Sequence, residues 1–268
     1  GSLGAGRLNA GSDLDLIMIY DAAGVDESTG LRPLGARTYY ARLTQAMVTA
    51  MSAQMAEGRL YEVDVRLRPS GRQGPVATSI ESFRSYQETE AWTWEHLALT
   101  RARVLAGEPS LGAEVETFRR ALLVQKGQGP TVRGDVAAMR VRLQGAKPAT
   151  GPWDAKDGPG RITDIELAAQ TVALICGSPA RGVERQIAAG TATILPETDA
   201  QALAKAYRLE WQLHAATRLL TEGVLAMENL GDGARAFLSR ETGVAGPDEL
   251  ARALAEAASL AEAAILKL

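Results

Sequence analysis

Three aspartates stand at positions that would allow their side chains to meet. Asp13 and Asp15 are separated by one residue at the start of an apolar run, in the stretch GSDLDLIMIYD. Side chains two apart on a β-strand point to the same face of the sheet, so these two carboxylates should project together. Asp64 lies on the polar face of the alternating stretch YEVDVRLRP, residues 61–69, and would join them if the two strands were neighbours.

Such a group of carboxylates favours binding of divalent cations. Carboxylates this close raise one another's pKa unless a cation lies among them. Hard oxygen ligands in this number suit Mg²⁺, with Mn²⁺ as the alternative, and two such ions can clamp an in-line nucleotidyl transfer. Asp13, Asp15 and Asp64 are therefore candidate metal ligands and catalytic residues. The alternative is that Asp13 caps a turn and Asp64 is a solvated strand residue.

A Gly-Ser pair precedes the aspartates at a spacing that favours phosphate binding. Gly1 and Ser2 are separated from Asp13 by ten residues. Glycine lets the backbone approach a phosphate closely, and backbone N–H and hydroxyl groups donate to its oxygens. The second pair, Gly11-Ser12, is too close to Asp13 for that role and serves as the entry into the strand. Because the chain begins inside this motif, we expect a strand or helix to precede Gly1.

Basic residues extend the candidate nucleotide-binding set beyond Gly1 and Ser2. Strand alternation places Arg66 and Arg68 on the face of Asp64, where guanidinium groups would contact phosphate or balance the acidic cluster. Lys156 lies in a glycine-rich loop and could reach a phosphate, although a solvated lysine is the commoner outcome for such positions.

A mixed α/β part of the chain must position these residues. The apolar run Leu14–Tyr20 is a candidate buried strand, and residues 61–69 form a second one. A helix is predicted between them at 37–56, and Thr78 with Glu81 forms a capping-box pattern that opens further helical sequence.

Beyond Gly107 the sequence predicts helices and no further strand. A seam of apolar residues spaced three and four apart near 199–222 is typical of core-facing bundle sequence. The predicted fold class is α+β: a small mixed sheet with helices, residues 1–110, followed by an all-α helical bundle, residues 111–268. The helices of the second part are predicted near 110–125, 131–144, 163–176, 180–189, 199–222 and 247–266.

The segment AWTWEH, residues 91–96, places two tryptophans beside a glutamate and a histidine. A nucleotide platform is one interpretation, and core packing with a capped polar edge is the favoured one. His96 and His214 are the only histidines, too few and too scattered for a histidine-based metal site, so each is expected to be structural.

The stretch TDIE contains a second pair of acidic residues, Asp164 and Glu166. On a helix, residues two apart do not face each other, which disfavours a metal pair. Thr163 and Glu166 instead fit a capping box, with Asp164 favourable in the first turn.

Composition excludes several classes of protein. The net charge of −3 and the pI near 5.6 do not suggest a nucleic-acid-binding surface. The single cysteine, Cys176, rules out an internal disulfide and fits a reducing compartment. No targeting segment and no apolar run long enough to cross a membrane is present, so we expect a soluble cytoplasmic protein without membrane partners.

The order Gly-Ser, spacer, Asp-Leu-Asp-Leu and then Val-Asp-Val resembles the polymerase-β-like nucleotidyltransferase superfamily. This resemblance implies that Asp13 and Asp15 hold both metals and that Asp64 binds the catalytic metal and helps activate the attacking hydroxyl. Four stretches, in order, resemble the bifunctional glutamine synthetase adenylyltransferase/adenylyl-removing enzymes, and the resemblance extends over nearly the whole chain. They are GSDLDL, LYEVDVRLRPSG, EAWTWEHLALTRARV and GRITDIELAAQ.

That family carries two nucleotidyltransferase halves, and the wording RLRPSG with AWTWEH looks like the C-terminal, adenylylating half. The resemblance implies transfer of AMP from ATP to a tyrosine hydroxyl of glutamine synthetase, with regulation by the PII signal protein and glutamine. Three alternatives stay open. They are the deadenylylating half, which uses the same aspartates for phosphorolysis; a PII uridylyltransferase, which RLRPSG and TWEH disfavour; and a non-catalytic regulatory fragment.

Overall fold

Four short strands form two parallel pairs and bring the candidate site residues together. In this computed structural model, which describes residues 1–268, β1 (Leu14–Asp15) pairs with β3 (Val63–Asp64). The second pair joins β2 (Met18–Tyr20) to β4 (Ala77–Ser79). The predicted strand over residues 14–20 is thus divided, because its two ends pair with different partners. Strand β4 was not predicted from the sequence.

Helices surround these strands in the first of two compact units, Gly1–Leu8 with Ser12–Leu123. Ser79 caps the helix that follows β4, since its Oγ accepts a hydrogen bond from the Ser82 N–H at 3.2 Å. The predicted capping box at Thr78 is therefore wrong by one residue, because Thr78 lies on β4. The helices are α1 (Ser2–Ala5), α2 (Ala36–Ser52), α3 (Ile80–Thr89), α4 (Thr93–Thr100) and α5 (Pro109–Gly127), of which residues 124–127 of α5 belong to the second unit.

A tight loop follows β3, where the sequence predicts continued strand to residue 69. The chain leaves the strand because Asp64 Oδ1 accepts a hydrogen bond from the Arg66 backbone N–H at 2.8 Å, which turns the backbone. Arg66 and Arg68 therefore do not share a strand face with Asp64, and that prediction is wrong. At the far end of the loop, Ser70 and Gly71 both adopt positive φ, 58° and 54°.

Arg68 holds this loop together from inside. Its side chain is buried, with 8% exposed, and the guanidinium donates to three backbone carbonyls. The acceptors are the oxygens of Val65 at 2.7 Å, Gly74 at 3.2 Å and Arg72 at 3.3 Å. Arg68, which the sequence predicts to bind nucleotide, thus donates hydrogen bonds to loop carbonyls that have no partner in a sheet or helix.

The second unit, Asn9–Gly11 with Val124–Leu268, is helical, as the sequence predicts for this part of the chain. Leu203, Leu213 and Leu254 are among its fully buried side chains. The predicted domain boundary at residue 110 stays a prediction. The helices are α6 (Val132–Ala146), α7 (Ile162–Ile175), α8 (Val183–Ala188), α9 (Glu197–Leu220), α10 (Asp232–Thr242) and α11 (Pro247–Ile265), of which α10 was not predicted.

Charged groups also lie inside this helical unit. Asp164, on the first turn of α7, accepts two hydrogen bonds from the Arg140 guanidinium at 2.7 and 2.8 Å and one from the Gly160 N–H at 2.8 Å. The predicted capping box of Thr163 and Glu166 is wrong, because Arg161 stands at the N-cap and Thr163 bonds Asp157 instead. Asp164 therefore anchors α7 to α6.

Glu210 on α9 is fully buried, and neither of its carboxylate oxygens has a hydrogen-bond partner. Burial raises its pKa from the usual 4.5 to about 9, against the opposing charge of Arg161 and with a smaller contribution from Asp164. The side chain therefore carries a proton at neutral pH.

None of the helices in either unit combines the length and apolar character needed to span a membrane.

We expect Arg68→Ala to lower the free energy of unfolding by about 2–4 kcal/mol, because the loop loses three hydrogen bonds from one buried guanidinium. Urea denaturation followed by circular dichroism measures this loss. The matched control is Arg59→Ala, whose exposed pair with Glu62 should contribute less than about 1 kcal/mol. Equal losses in the two variants would contradict the assigned role of Arg68.

We expect stability to fall as pH rises from 6 to 8, because of Glu210. The unfolded chain releases this proton near pH 4.5 and the folded chain near 9, so between these values the folded state holds more protons. Glu210→Gln should remove a slope of up to about 1.4 kcal/mol per pH unit from the unfolding free energy.

Urea denaturation at several pH values measures the Glu210 effect. Glu256→Gln, an exposed position on α11, is the matched control and should retain the wild-type slope. A Glu210→Gln chain whose stability still declines as steeply as wild type would show that other groups cause the decline.

Candidate active site

Asp15 and Asp64 lie directly opposite each other on the neighbouring strands β1 and β3. The strand register is fixed by hydrogen bonds from the Leu14 N–H to the Glu62 oxygen and from the Leu16 N–H to the Asp64 oxygen, both 2.8 Å long. Leu14 between the aspartates is buried, with 6% exposed, while Asp13 is exposed. The other residues of the predicted buried strand, 15–20, are only half-buried, so that prediction is correct for Leu14 alone.

The electrostatics of Asp15 reflect its carboxylate neighbours. Its pKa is raised first by burial and then by the charges of Asp64 and Asp13, while the Gly1 amino group and Arg101 act in the opposite direction. A cation near these three carboxylates would offset the effect that Asp13 and Asp64 have on this pKa. The donor chemistry on β1 and β3 therefore fits Mg²⁺ or Mn²⁺.

The carboxylates are not gathered into a complete metal-binding cluster. No group of three acidic, histidine or cysteine side chains is arranged closely enough to hold a metal ion. Asp64 instead pairs with Arg66, whose Nε donates to Asp64 Oδ2 at 2.6 Å. This hydrogen bond lowers the pKa of Asp64. The Arg66 guanidinium therefore supplies the positive charge beside Asp64 in this structure.

The Gly1-Ser2 pair lies beside the same carboxylates. The nitrogen of Gly1 is 3.9 Å from Asp15 Oδ2, and a Cβ at Gly1 would lie 1.8 Å from that oxygen. Ser2 begins α1, and Gly4 packs so closely that a Cβ there would lie 2.0 Å from the Arg101 carbonyl oxygen. Glycine is therefore required at Gly4, where the obstacle is backbone, whereas a side chain at Gly1 would displace the Asp15 carboxylate.

Lys156 belongs to the second unit, so its predicted phosphate contact stays a prediction. Its side chain is exposed, and its backbone N–H donates to Asp154 Oδ1 at 3.1 Å. The pKa of the half-buried His214 is lowered mainly by the burial of that histidine, and the positive charge of Lys156 lowers it further.

The AWTWEH segment differs from its predicted packing. Trp92 and Trp94 are 70% and 41% exposed, so the prediction that they pack in the core is wrong. Trp92 stands at the N-cap, before the first turn of α4, and its backbone N–H donates to Glu95 Oε2 at 2.9 Å. His96 is buried with Nε2 3.1 Å from the Gln87 carbonyl oxygen, which fits the expected structural role.

Sequence reasoning missed a cavity of about 410 Å³ whose wall includes Gly1 and Asp15. The wall also contains two buried polar side chains from consecutive helices, Gln87 on α3 and Glu95 on α4. A polar residue in the helical sequence IESFRSYQET carries no signal by itself, because only packing shows which side of the helix is enclosed.

Comparison with known proteins gives consistent relationships. Residues 1–118 match the family model described as glutamate-ammonia ligase adenylyltransferase. The chain is 45% identical over 242 residues, 87% of its length, to a protein of Mesorhizobium japonicum named bifunctional glutamine synthetase adenylyltransferase/adenylyl-removing enzyme, and covers 24% of that protein. A protein of Rhizobium meliloti with the same name is 50% identical over 72% of this chain, which covers 20% of that protein. A protein of Brucella suis with the same name is 38% identical over 100% of this chain, which covers 28% of that protein.

The chain spans about a quarter of the length of these curated relatives. The matches extend across both compact units, since the Brucella suis protein aligns with the whole chain. They agree with the resemblance drawn from the Asp-Leu-Asp-Leu, RLRPSG, AWTWEH and TDIE stretches. The chain therefore belongs to the family of bifunctional glutamine synthetase adenylyltransferase/adenylyl-removing enzymes.

Proposed function

We propose that this chain is the adenylylating nucleotidyltransferase segment of such an enzyme, transferring AMP from ATP to a tyrosine hydroxyl of glutamine synthetase. The observation that carries the proposal is the pairing of Asp15 with Asp64 across parallel strands, with Gly1 against Asp15. The relatives' shared name supports glutamine synthetase as the protein substrate. The tyrosine hydroxyl as acceptor and regulation by the PII signal protein rest on family resemblance alone.

Divalent ions are part of this proposal. Asp13, Asp15 and Asp64 would hold two Mg²⁺ ions, or Mn²⁺ in their place. When bound, such ions neutralise charge on the triphosphate and on the leaving pyrophosphate. The raised pKa of Asp15 fits this assignment, because it reflects burial and neighbouring carboxylates that a cation would offset.

The polar groups around the aspartates would hold the phosphates of ATP. The Gly1 backbone and the Ser2 hydroxyl would donate to the outer phosphate oxygens. Arg66 is exposed and can exchange its contact with Asp64 for a phosphate, since a solvated guanidinium pair is weakly held. Lys156 remains a proposed phosphate contact. Arg68 is left out, because its guanidinium is engaged by loop carbonyls.

The proposed step is an in-line displacement at the α-phosphorus. A bond forms between the tyrosine oxygen and the α-phosphorus, and the bond from the α-phosphorus to the bridging oxygen of pyrophosphate breaks. The hydroxyl proton passes to Asp64. The hydrogen bond from Arg66 keeps the pKa of Asp64 low, so turning Arg66 towards phosphate would make this carboxylate a better proton acceptor.

We expect the 268-residue chain to add AMP to unmodified glutamine synthetase in the presence of ATP and Mg²⁺. Asp15→Asn should lower the rate by roughly a hundredfold or more, because it removes a proposed ligand of the Mg²⁺ ions that would neutralise charge on the triphosphate. Intact mass spectrometry of glutamine synthetase detects the adduct. Asp26→Asn, an exposed position in the loop after β2, is the matched control and should keep the wild-type rate.

Two outcomes would change this assignment. An AMP adduct that forms equally well with Asp13→Asn and Asp15→Asn would exclude the proposed site. A second assay starts from adenylylated glutamine synthetase and inorganic phosphate. Release of ADP there, without AMP transfer in the forward assay, would identify the deadenylylating half instead.

A further inference from the structure

Arg66 donates hydrogen bonds to both carboxylate oxygens of Asp64. Its backbone N–H donates to Asp64 Oδ1 at 2.8 Å, and its Nε donates to Asp64 Oδ2 at 2.6 Å. The guanidinium Nη2 also forms an ion pair with Oδ2. The backbone turn after β3 therefore uses one oxygen of Asp64, and the guanidinium occupies the other.

The positive charge of Arg66 acts on all three proposed metal ligands. The pKa of Arg66 is raised first by its hydrogen bond with Asp64 and then by the charge of that carboxylate, and the charges of Asp15 and Asp13 raise it further. In this arrangement no three acidic, histidine or cysteine side chains lie close enough together to hold a metal ion. The guanidinium thus supplies the positive charge that the proposed function assigns to a divalent cation.

The guanidinium can leave Asp64 without disturbing the strand. The Arg66 side chain is 62% exposed, and solvated ion pairs of this kind contribute little to stability. The hydrogen bond that turns the chain after β3 comes from the Arg66 backbone N–H and does not involve the side chain. The turn therefore stays in place when the guanidinium moves away.

We infer that Arg66 makes the binding of a divalent ion at Asp64 depend on nucleotide. The inference rests on the proposed function, in which Asp13, Asp15 and Asp64 are the metal ligands. Without nucleotide, the guanidinium occupies Asp64 Oδ2 and repels a second cation. The triphosphate of ATP offers the guanidinium a bidentate anionic partner, and its departure frees this oxygen. Arg66 thus sets the order of binding, with the nucleotide before the ion at Asp64.

The two roles of Arg66 predict changes of opposite sign when its side chain is removed. Loss of a phosphate contact weakens the binding of ATP. Loss of a cation that competes for Asp64 strengthens the binding of a divalent ion in the absence of nucleotide. A purely structural role for Arg66 does not predict such a gain.

The test measures Mn²⁺ binding to the 268-residue chain without nucleotide, from the electron paramagnetic resonance signal of free Mn²⁺. We expect Arg66→Ala to bind Mn²⁺ about three- to tenfold more tightly than wild type, because a competing positive charge is lost. Arg66→Lys keeps the charge and should stay closer to wild type. Arg59→Ala removes another exposed arginine from an ion pair, the one with Glu62, and is the matched control that should keep the wild-type affinity.

A double variant shows whether the gain arises at Asp64. Arg66→Ala combined with Asp64→Asn should bind Mn²⁺ no more tightly than Asp64→Asn alone. Equal, measurable affinity in wild type and Arg66→Ala, or a gain that persists in the Asp64→Asn background, would overturn the inference while leaving the proposed function in place. Absence of Mn²⁺ binding by wild type and Arg66→Ala alike, together with no transfer of AMP to glutamine synthetase, would contradict the proposed function itself.

Discussion

The first unit depends on how it accommodates two carboxylates on adjacent parallel strands. Asp15 and Asp64 are opposite each other, and their repulsion must be offset if the strands are to stay paired. In this structure Arg66 supplies part of the compensating charge from the turn that follows β3. Under the proposed function, a divalent cation and its phosphate ligand would take over this compensation at Asp15 and Asp64.

That constraint explains why β3 is so short. One carboxylate oxygen of Asp64 accepts a hydrogen bond from the Arg66 backbone N–H, and the chain turns directly after Asp64. The loop beyond it has several carbonyls without regular partners, and Arg68 satisfies three of them from a buried position. Two arginines two residues apart thus have different roles, one exposed at the site and one enclosed in the fold.

The helical unit uses buried charge in a different way. Asp164 is fully paired, with Arg140 and the Gly160 N–H as donors, and so fixes the start of α7. Glu210 is buried without a hydrogen-bonded donor and therefore retains its proton. An unpaired carboxyl in a helix core is tolerated because the neutral acid avoids the larger cost of a buried charge.

The sequence by itself predicted the α+β class, most helices and the family, because apolar periodicity and the ordered motifs are local signals. It also predicted that Asp64 would lie on a strand, but only the structure placed that strand beside the strand of Asp15. Tertiary structure alone decided the end of β3, the burial of Arg68 and the exposure of Trp92. These outcomes depend on hydrogen bonds and packing between residues that are distant in the sequence. Strand alternation and helix spacing do not show which of these residues will pair.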